Sequence, residues 1–252
     1  MTADTAAAPR SRAVVTLNCD MGESFGNWHF GDDAGIMPNI HLANIACGFH
    51  ASDPWTMLKT VRLALSHGVE VGAHPSLPDK EGFGRREMKL QPEELTAAFI
   101  YQIGALSGIL AAEGGTLSHV KPHGIIYGMA AKDLDTARAI AASVKPFNVP
   151  LFGMAGTFHE VAAAELGVPF IGEYFPDLSY APDGSLIIPR VHQAVDLAAI
   201  EDRMRRALFN GEIVTTDGSV RPISFGTVCI HSDPPNSRDV AAVMRRVIEG
   251  NA

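Results

Sequence analysis

At several points along the chain, a short apolar run ends in polar side chains that could act in acid–base catalysis or bind a metal. The run at residues 13–17, for example, gives way to Asn18, Asp20 and Glu23. The candidates at the ends of the other runs are His50, His74, Lys121, His123, Glu173, Asp177 and His231. The carboxyl ends of parallel strands share one edge of a barrel or open sheet, so residues distant in sequence can converge there. We therefore predict one composite active site.

Two histidines and one carboxylate from different strand ends could bind a divalent metal that activates water. His50 and His74, together with Asp20 or Glu23, offer such a set, but the same groups can do acid–base chemistry without a metal. The sequence has no His-x-His or His-Glu-x-x-His motif. The spacing therefore leaves open whether a transition metal binds.

The remaining histidines and Cys47 are predicted to have structural roles. On an extended backbone His119 would share a face with Lys121, and we expect it to be buried and hydrogen-bonded inside the sheet. His67 precedes a glycine at a predicted helix end, where a cation suits the helix dipole, and His159 is expected at a solvated position on a helix. Cys47 is expected to be a small buried residue rather than a nucleophile.

The motifs of several enzyme classes are absent. There is no Gly-x-Ser-x-Gly elbow, and neither of the two common glycine-rich phosphate loops occurs. The segment at residues 82–86, which contains Arg85, is a candidate anion contact, although a flexible surface loop would have the same composition. These observations exclude the familiar serine-hydrolase and nucleotide-binding signatures, but not nucleotide binding by another route.

Helical patterns alternate with the apolar runs, which predicts right-handed βαβ units around a mostly parallel sheet. Helices are predicted at residues 54–67, 92–113, 133–144, 157–166, 194–209 and 237–248. Seven strands can be counted, so we predict an irregular seven-stranded (β/α) barrel, with an open doubly wound sheet as the alternative. Asp-Gly pairs within residues 181–190 and 213–223 predict two hairpins that decorate this sheet.

The composition indicates one globular domain spanning residues 1–252, with residues 1–12 expected to be flexible. A net charge of −8 without long runs of Lys or Arg argues against nucleic acids and anionic membranes as partners. Three scattered cysteines and the lack of an export signal favour the cytoplasm. The stretch at residues 95–112 contains several polar residues and suits a core helix better than a membrane span.

Long blocks of the sequence resemble the LamB/YcsF family, in order from about Val14 to Asp233. The blocks are residues 17–23, 44–51, 72–76, 83–85, 101–106, 119–124 and 227–231. The resemblance implies a seven-stranded barrel related to polysaccharide deacetylases. It also implies the activity of the A subunit of a bacterial 5-oxoprolinase, which opens 5-oxo-L-proline to L-glutamate at the expense of ATP and works with subunits B and C.

This resemblance suggests roles for the candidate residues, with ATP and Mg²⁺ as the expected cofactors. Asp20 with His50 or His74 would orient or deprotonate water, while Lys121 and His123 would stabilise charge on a phosphate or oxyanion. The residues expected to bind substrate or nucleotide are Asn18, Glu23, Arg85, Glu173, Arg190 and His231.

The chain departs from the family pattern at positions that could affect the substrate. Leu178 stands where many members have arginine, Gly128 stands where they have asparagine, and Ser232 replaces a glycine. The substrate could therefore be another lactam. A stand-alone metal-dependent amidohydrolase or deacetylase and a non-catalytic ligand-binding subunit remain alternatives.

Overall fold

A computed structural model describes residues 15–189 and 193–250. Its strands are β1 (Thr16–Met21), β2 (Leu42–Ala46), β3 (Glu70–His74), β4 (Leu117–Val120), β5 (Leu151–Gly153), β6 (Phe170–Tyr174), β7 (Ser179–Tyr180), β8 (Leu186–Ile187), β9 (Glu212–Val214), β10 (Val220–Pro222) and β11 (Thr227–Ile230). Seven of them form a closed parallel barrel in the order β1-β11-β6-β5-β4-β3-β2. Closure is made by β1 and β11, which pair Thr16 with Thr227. The predicted barrel is confirmed, and the open sheet is excluded.

Helices surround the barrel and cover its apolar outer face. They are α1 (Asp33–Ile36), α2 (Pro54–Ser66), α3 (Pro92–Ala112), α4 (Ile125–Lys132), α5 (Leu134–Val144), α6 (Phe158–Leu166), α7 (Leu197–Asn210) and α8 (Ser237–Ile248). The six predicted helices are present with ends shifted by a few residues, whereas α1 and α4 were not predicted. The predicted flexibility of residues 1–12 lies outside the described residues, and a single domain for the whole chain stays a prediction.

Local sequence explains why α2 begins where it does. The Asp53 carboxylate accepts hydrogen bonds from the backbone N–H groups of Trp55 and Thr56, and Pro54 occupies the first helical position. The carboxylate thereby satisfies two of the donors that a helix start leaves without an intrahelical partner. This cap holds the loop that carries His50 against the barrel rim, because Asp53 Oδ2 also accepts from the backbone of Gly26.

By length and composition, α3 is the one helix in the described residues that could cross a membrane. One face of it nevertheless packs into the core through Leu95, Phe99, Ile103, Leu106 and Leu110, all of which are buried. The helix also packs closely against α5. We therefore assign α3 to the core of the barrel, as the sequence predicted.

Two antiparallel hairpins project from the barrel where the Asp-Gly pairs predicted them. The first joins β7 to β8, and the second joins β9 to β10. The first hairpin reaches the functional rim, since Leu186 and the following Ile188 line the cavity there. It continues into residues 190–192, which are outside the described residues.

Candidate active site

The carboxyl ends of the barrel strands bring the predicted residues together around one small cavity of about 30 Å³. The predicted residues that line it are Asp20, Glu23, His74, Arg85, Lys121, His123 and His231. His50 and Glu173 are buried directly behind this lining, and Asn18 lies deeper in the barrel. The predicted binding residue Arg190 lies outside the described residues. The convergence follows from the fold, because every contributing strand points the same way.

A buried ion pair occupies the floor of the cavity. Lys121 Nζ lies 2.5 Å from Asp20 Oδ1 and 3.8 Å from Glu173 Oε1. Burial disfavours both charges, but the neighbouring His74 and Lys121 hold the pKa of Asp20 well below its usual value. Burial similarly opposes the charge on Lys121, yet Asp20, Cys229 and Glu173 raise its pKa well above the usual value. The pair is therefore charged at neutral pH.

A column of amide and imidazole groups inside the barrel fixes Asp20 from below. Asn44 Nδ2 donates to Asp20 Oδ1 at 2.8 Å and to Asn18 Oδ1 at 2.7 Å. Asn18 in turn donates to Thr227 Oγ1 at 2.8 Å, and His119 Nε2 lies 2.6 Å from Asn44 Oδ1. Because these groups are buried and hydrogen-bonded, they hold the carboxylate in one orientation. The predicted structural role of His119 is confirmed.

Three histidines and one glutamate form a second buried group beside the ion pair, which we call the histidine–glutamate cluster: Glu23, His50, His74 and His123. The rings of His50 and His123 stack with centroids 3.6 Å apart. Glu23 Oε1 lies 3.2 Å from His50 Nε2 and 3.3 Å from His123 Nδ1. The cluster joins the ion pair through His74 Nε2, which lies 3.1 Å from Asp20 Oδ2.

Burial dominates the electrostatics of this cluster. It lowers the pKa of His50 and of His123 well below the usual value, and nearby histidines lower both further. Burial together with the charge of Asp20 raises the pKa of Glu23 well above its usual value. His123 is therefore better suited to offer a ring lone pair than to stabilise charge as an imidazolium, the role expected from the sequence. Lys121 remains the charge-stabilising group on the floor.

A cationic pair and an arginine complete the opposite side of the cavity. His231 Nδ1 and its backbone N–H both lie 2.9 Å from Asp177 Oδ2. Although burial lowers the pKa of His231, the Asp177 carboxylate outweighs it and raises the value. Arg85 Nη2 lies 3.4 Å from Asp233 Oδ2. These groups give the cavity mouth positive charge suited to an anionic substrate group.

One sequence prediction about histidine is wrong. His159 was expected to be solvated, but its side chain is fully buried. Its Nδ1 accepts a hydrogen bond from the backbone of Met154 at 3.1 Å, and its ring lies 4.7 Å from that of Tyr127. The space comes from Gly153, where a Cβ would lie only 2.8 Å from the His159 ring. By contrast, Cys47 is buried as predicted, and burial raises the pKa of its thiol to about 12.

Sequence reasoning missed Asn44 and Tyr127 as parts of the site. Asn44 sits inside an apolar strand, and a single buried amide in such a run was the available signal. Tyr127 lies on the unpredicted helix α4 and lines the cavity beside Leu178. Leu178, one of the departures from the family pattern, packs with Tyr127, Phe175 and Cys229. The Gly128 departure lies on α4, with open space where a Cβ would be.

Known proteins resemble this chain over nearly its whole length. The LamB/YcsF family model matches residues 15–252. The lactam utilization protein lamB of Emericella nidulans is 46% identical over 92% of this chain and 93% of that protein. The 5-oxoprolinase A subunit of Methylococcus capsulatus is 47% identical over 93% of this chain and 90% of that protein.

A solved structure agrees with these sequence matches. The crystal structure of the lactam utilization protein from Thermus thermophilus superimposes with a TM-score of 0.87 and 44% identity. The match covers 94% of this chain and 96% of that one, so the barrel and its rim are shared throughout. On the strength of the family model and these close relatives, the chain belongs to the LamB/YcsF family.

Proposed function

We propose that this chain is the A subunit of an ATP-dependent 5-oxoprolinase, which opens 5-oxo-L-proline or a related lactam to L-glutamate. The observation that carries the proposal is the buried Lys121–Asp20 ion pair on the floor of a cavity with a cationic mouth. The relatives named as 5-oxoprolinase A subunits, at 47% identity in one case, support the choice of substrate. The same names support subunits B and C as partners and the cytoplasm as the location.

The reaction needs an activated amide and a source of charge stabilisation. Phosphorylation of the lactam oxygen by ATP, with Mg²⁺ neutralising the phosphates, turns a poor electrophile into one that water can attack. Water adds to the ring carbon, the C–N bond breaks to release the amine, and a second water releases phosphate. Overall, lactam, ATP and two waters give glutamate, ADP and phosphate. Negative charge develops on oxygen in each addition, which a buried ammonium can stabilise.

The described residues suit distinct parts of this scheme. Lys121 would stabilise the developing oxyanion or the phosphate, while Asp20 and His74 would orient and deprotonate the attacking water. Arg85 and His231, at the mouth, would bind the substrate carboxylate or the phosphate. Glu173 and Asn18 hold Lys121 and Asp20 in place rather than touch the substrate.

The site for Mg²⁺-ATP is best placed at or beyond the boundary of this chain with its partners. The sequence lacks both common glycine-rich phosphate loops, and a cavity of about 30 Å³ has room for little more than water. Subunits B and C would then supply much of the nucleotide site, and the lactam would reach the rim when the first hairpin moves.

Reconstitution tests this function. The chain would be mixed with subunits B and C, 5-oxoproline, Mg²⁺ and ATP, and glutamate and ADP would be measured with each component left out in turn. We expect both products only in the complete mixture. If subunits B and C turn over with the A subunit of a known 5-oxoprolinase but not with this chain, then 5-oxoproline is not its substrate.

The histidine–glutamate cluster favours a second candidate, a metal-dependent amidohydrolase that acts alone. Such an enzyme would cleave an amide without ATP or partner subunits. The test is turnover of lactams and N-acetyl compounds by the isolated chain with added divalent metal. Turnover there, and none that depends on ATP, would replace the first proposal by this one.

A further inference from the structure

Two buried histidines at the rim have hydrogen bonds that fix which ring nitrogen carries the proton. His74 Nδ1 lies 2.7 Å from the carbonyl oxygen of Lys121, and His123 Nε2 lies 2.9 Å from that of Phe83. A carbonyl oxygen can only accept, so both of these ring nitrogens carry hydrogen. In the neutral rings, His74 Nε2 and His123 Nδ1 are therefore bare lone pairs.

These two lone pairs point at each other and at two carboxylates. His74 Nε2 lies 2.9 Å from His123 Nδ1 and 3.1 Å from Asp20 Oδ2. His123 Nδ1 also lies 3.3 Å from Glu23 Oε1. Acceptors packed this closely, in a place shielded from water, repel one another unless a positive species lies among them.

The spacing of the acceptors suits a metal ion. The ligand atoms of the whole cluster, including His50 Nε2, lie within 4.8 Å of one another. Neighbouring ligand atoms are 2.9, 3.2 and 3.3 Å apart. Donors bonded at about 2.0–2.1 Å to a tetrahedral zinc ion are separated by about 3.3 Å. The observed separations are therefore close to those of a coordination shell.

We propose that Glu23, His50, His74 and His123 bind one divalent transition metal of the zinc class. Three imidazoles and one carboxylate suit such an ion, whereas Mg²⁺ and Ca²⁺ prefer oxygen ligands. The carbonyls of Lys121 and Phe83 orient two of the rings, in the way that backbone carbonyls commonly orient metal-binding histidines. Asp20 lies beside the site and contacts His74, so it would border the metal without being needed to hold it.

This inference concerns binding and does not depend on the lactam reaction. A metal in the cluster would lie next to the Lys121–Asp20 pair, where it could polarise the water or the amide oxygen. If the lactam assay fails but metal binds, the proposed function is wrong and this proposal stands. If the lactam assay succeeds in chelated, metal-free protein that also fails to bind metal, the reverse holds.

The test uses the full chain without an affinity tag, stripped of metal by chelation and then titrated with Co²⁺ and Zn²⁺. We expect one equivalent of metal per chain by elemental analysis, a visible Co²⁺ ligand-field spectrum, and a rise in the thermal midpoint on adding Zn²⁺ that the chelator reverses. His123→Ala and His74→Ala should each weaken Co²⁺ binding at least tenfold. His67→Ala removes an exposed histidine at the end of α2 and should leave binding unchanged.

Two results would overturn the proposal. One is wild-type protein that neither binds a stoichiometric metal nor shifts its thermal midpoint, which would leave a shared proton as the positive species. The other is equal weakening by His67→Ala and His123→Ala, which would indicate adventitious binding at the surface. If the cluster variants do not fold, the spectrum and thermal shift of the wild-type chain decide between these outcomes.

Discussion

The ammonium group of Lys121 is the clearest case of a residue whose surroundings define its role. It is buried, yet Asp20 at 2.5 Å keeps it charged, and the pair faces the cavity rather than the packed core. Leaving a charge in a protein interior is costly unless it is paired. A charged group kept at a cavity floor is therefore a group available for catalysis.

Replacing this ammonium should cost catalysis more than binding. For Lys121→Met in the assembled complex, we predict a fall in kcat of about 10²- to 10³-fold with a smaller change in KM, as for loss of an oxyanion-stabilising donor. The control is Lys145→Met, which removes an exposed lysine far from the rim. Thermal melts check folding, since Asp20 loses its partner. Equal kcat values for both folded variants would remove Lys121 from the mechanism.

At the residue scale, the sequence was informative about the rim and poor about the barrel interior. Asp20, His74 and His123 could be predicted because each follows an apolar run, and parallel strands gather such residues at one edge. The burial of His159 depends on the missing side chain of Gly153, which is a tertiary fact with no local signal. The bridging role of Asn44 likewise depends on which strands are neighbours.

The loop between β3 and α3 supports the site by its backbone. Gly84 has a φ of +64°, and a Cβ there would overlap Ser76 and come within 2.9 Å of both His50 and His123. Its carbonyl also accepts a hydrogen bond from Ile125, at the start of α4. This glycine is required both by its left-handed conformation and by the close approach of the histidine rings.

A pair of glycine variants separates these two requirements. Gly68 has a similar φ of +68° but faces open space, so Gly68→Ala should cost only the backbone strain, about 1 kcal/mol of unfolding free energy. Gly84→Ala should cost that strain and also displace the histidine rings, lowering turnover at least tenfold. The measurements are chemical denaturation and steady-state rates. Equal turnover in both variants would show that the loop does not support the site.

The cap of α2 gives a prediction about pH. Hydrogen bonds from Gly26 and Thr56 hold the pKa of Asp53 at about 2, below the usual value of roughly 3.9. A lowered carboxyl pKa stabilises the fold above the usual value, and that contribution disappears as pH falls through 2. Asp53→Ala should therefore cost about 1 kcal/mol at pH 7, and the difference from wild type should shrink between pH 4 and pH 2.

Denaturation of both proteins across this pH range checks the prediction. Asp135→Ala is a suitable control, because Asp135 is an exposed acidic residue in the first turn of α5 and is not its N-cap. A difference for Asp53→Ala that stays constant down to pH 2 would contradict the assigned role of the ionised carboxylate.

At the element scale, helices with clear caps were predictable, and short ones were not. The capping residues before α2 and α5, and the glycine after α6, mark their ends in the sequence. Helix α4 starts after Gly124 without a side-chain cap and is only eight residues long, so its pattern resembles a loop. It nevertheless carries Tyr127 to the cavity, which is why that residue was missed.

The whole molecule explains why a chain with a complete rim could still depend on partners. The barrel gathers acid, base and cationic groups around a cavity of about 30 Å³, which is far too small for a lactam together with a nucleotide. Fold and family could be predicted from strand count and motif blocks. The closeness of the cavity walls could not, because it depends on how the first hairpin and the Arg85 loop lie over the rim.

The most direct test of the central claim is glutamate formation by the assembled complex with wild-type chain and with Asp20→Asn. This change removes the charge of one carboxylate and keeps its size, and size-exclusion chromatography with subunits B and C checks assembly. We predict that the wild-type complex forms glutamate with ADP and that the variant complex assembles but forms almost none. Glutamate formation at the wild-type rate by a folded, assembled Asp20→Asn complex would contradict the claim that this rim opens the lactam.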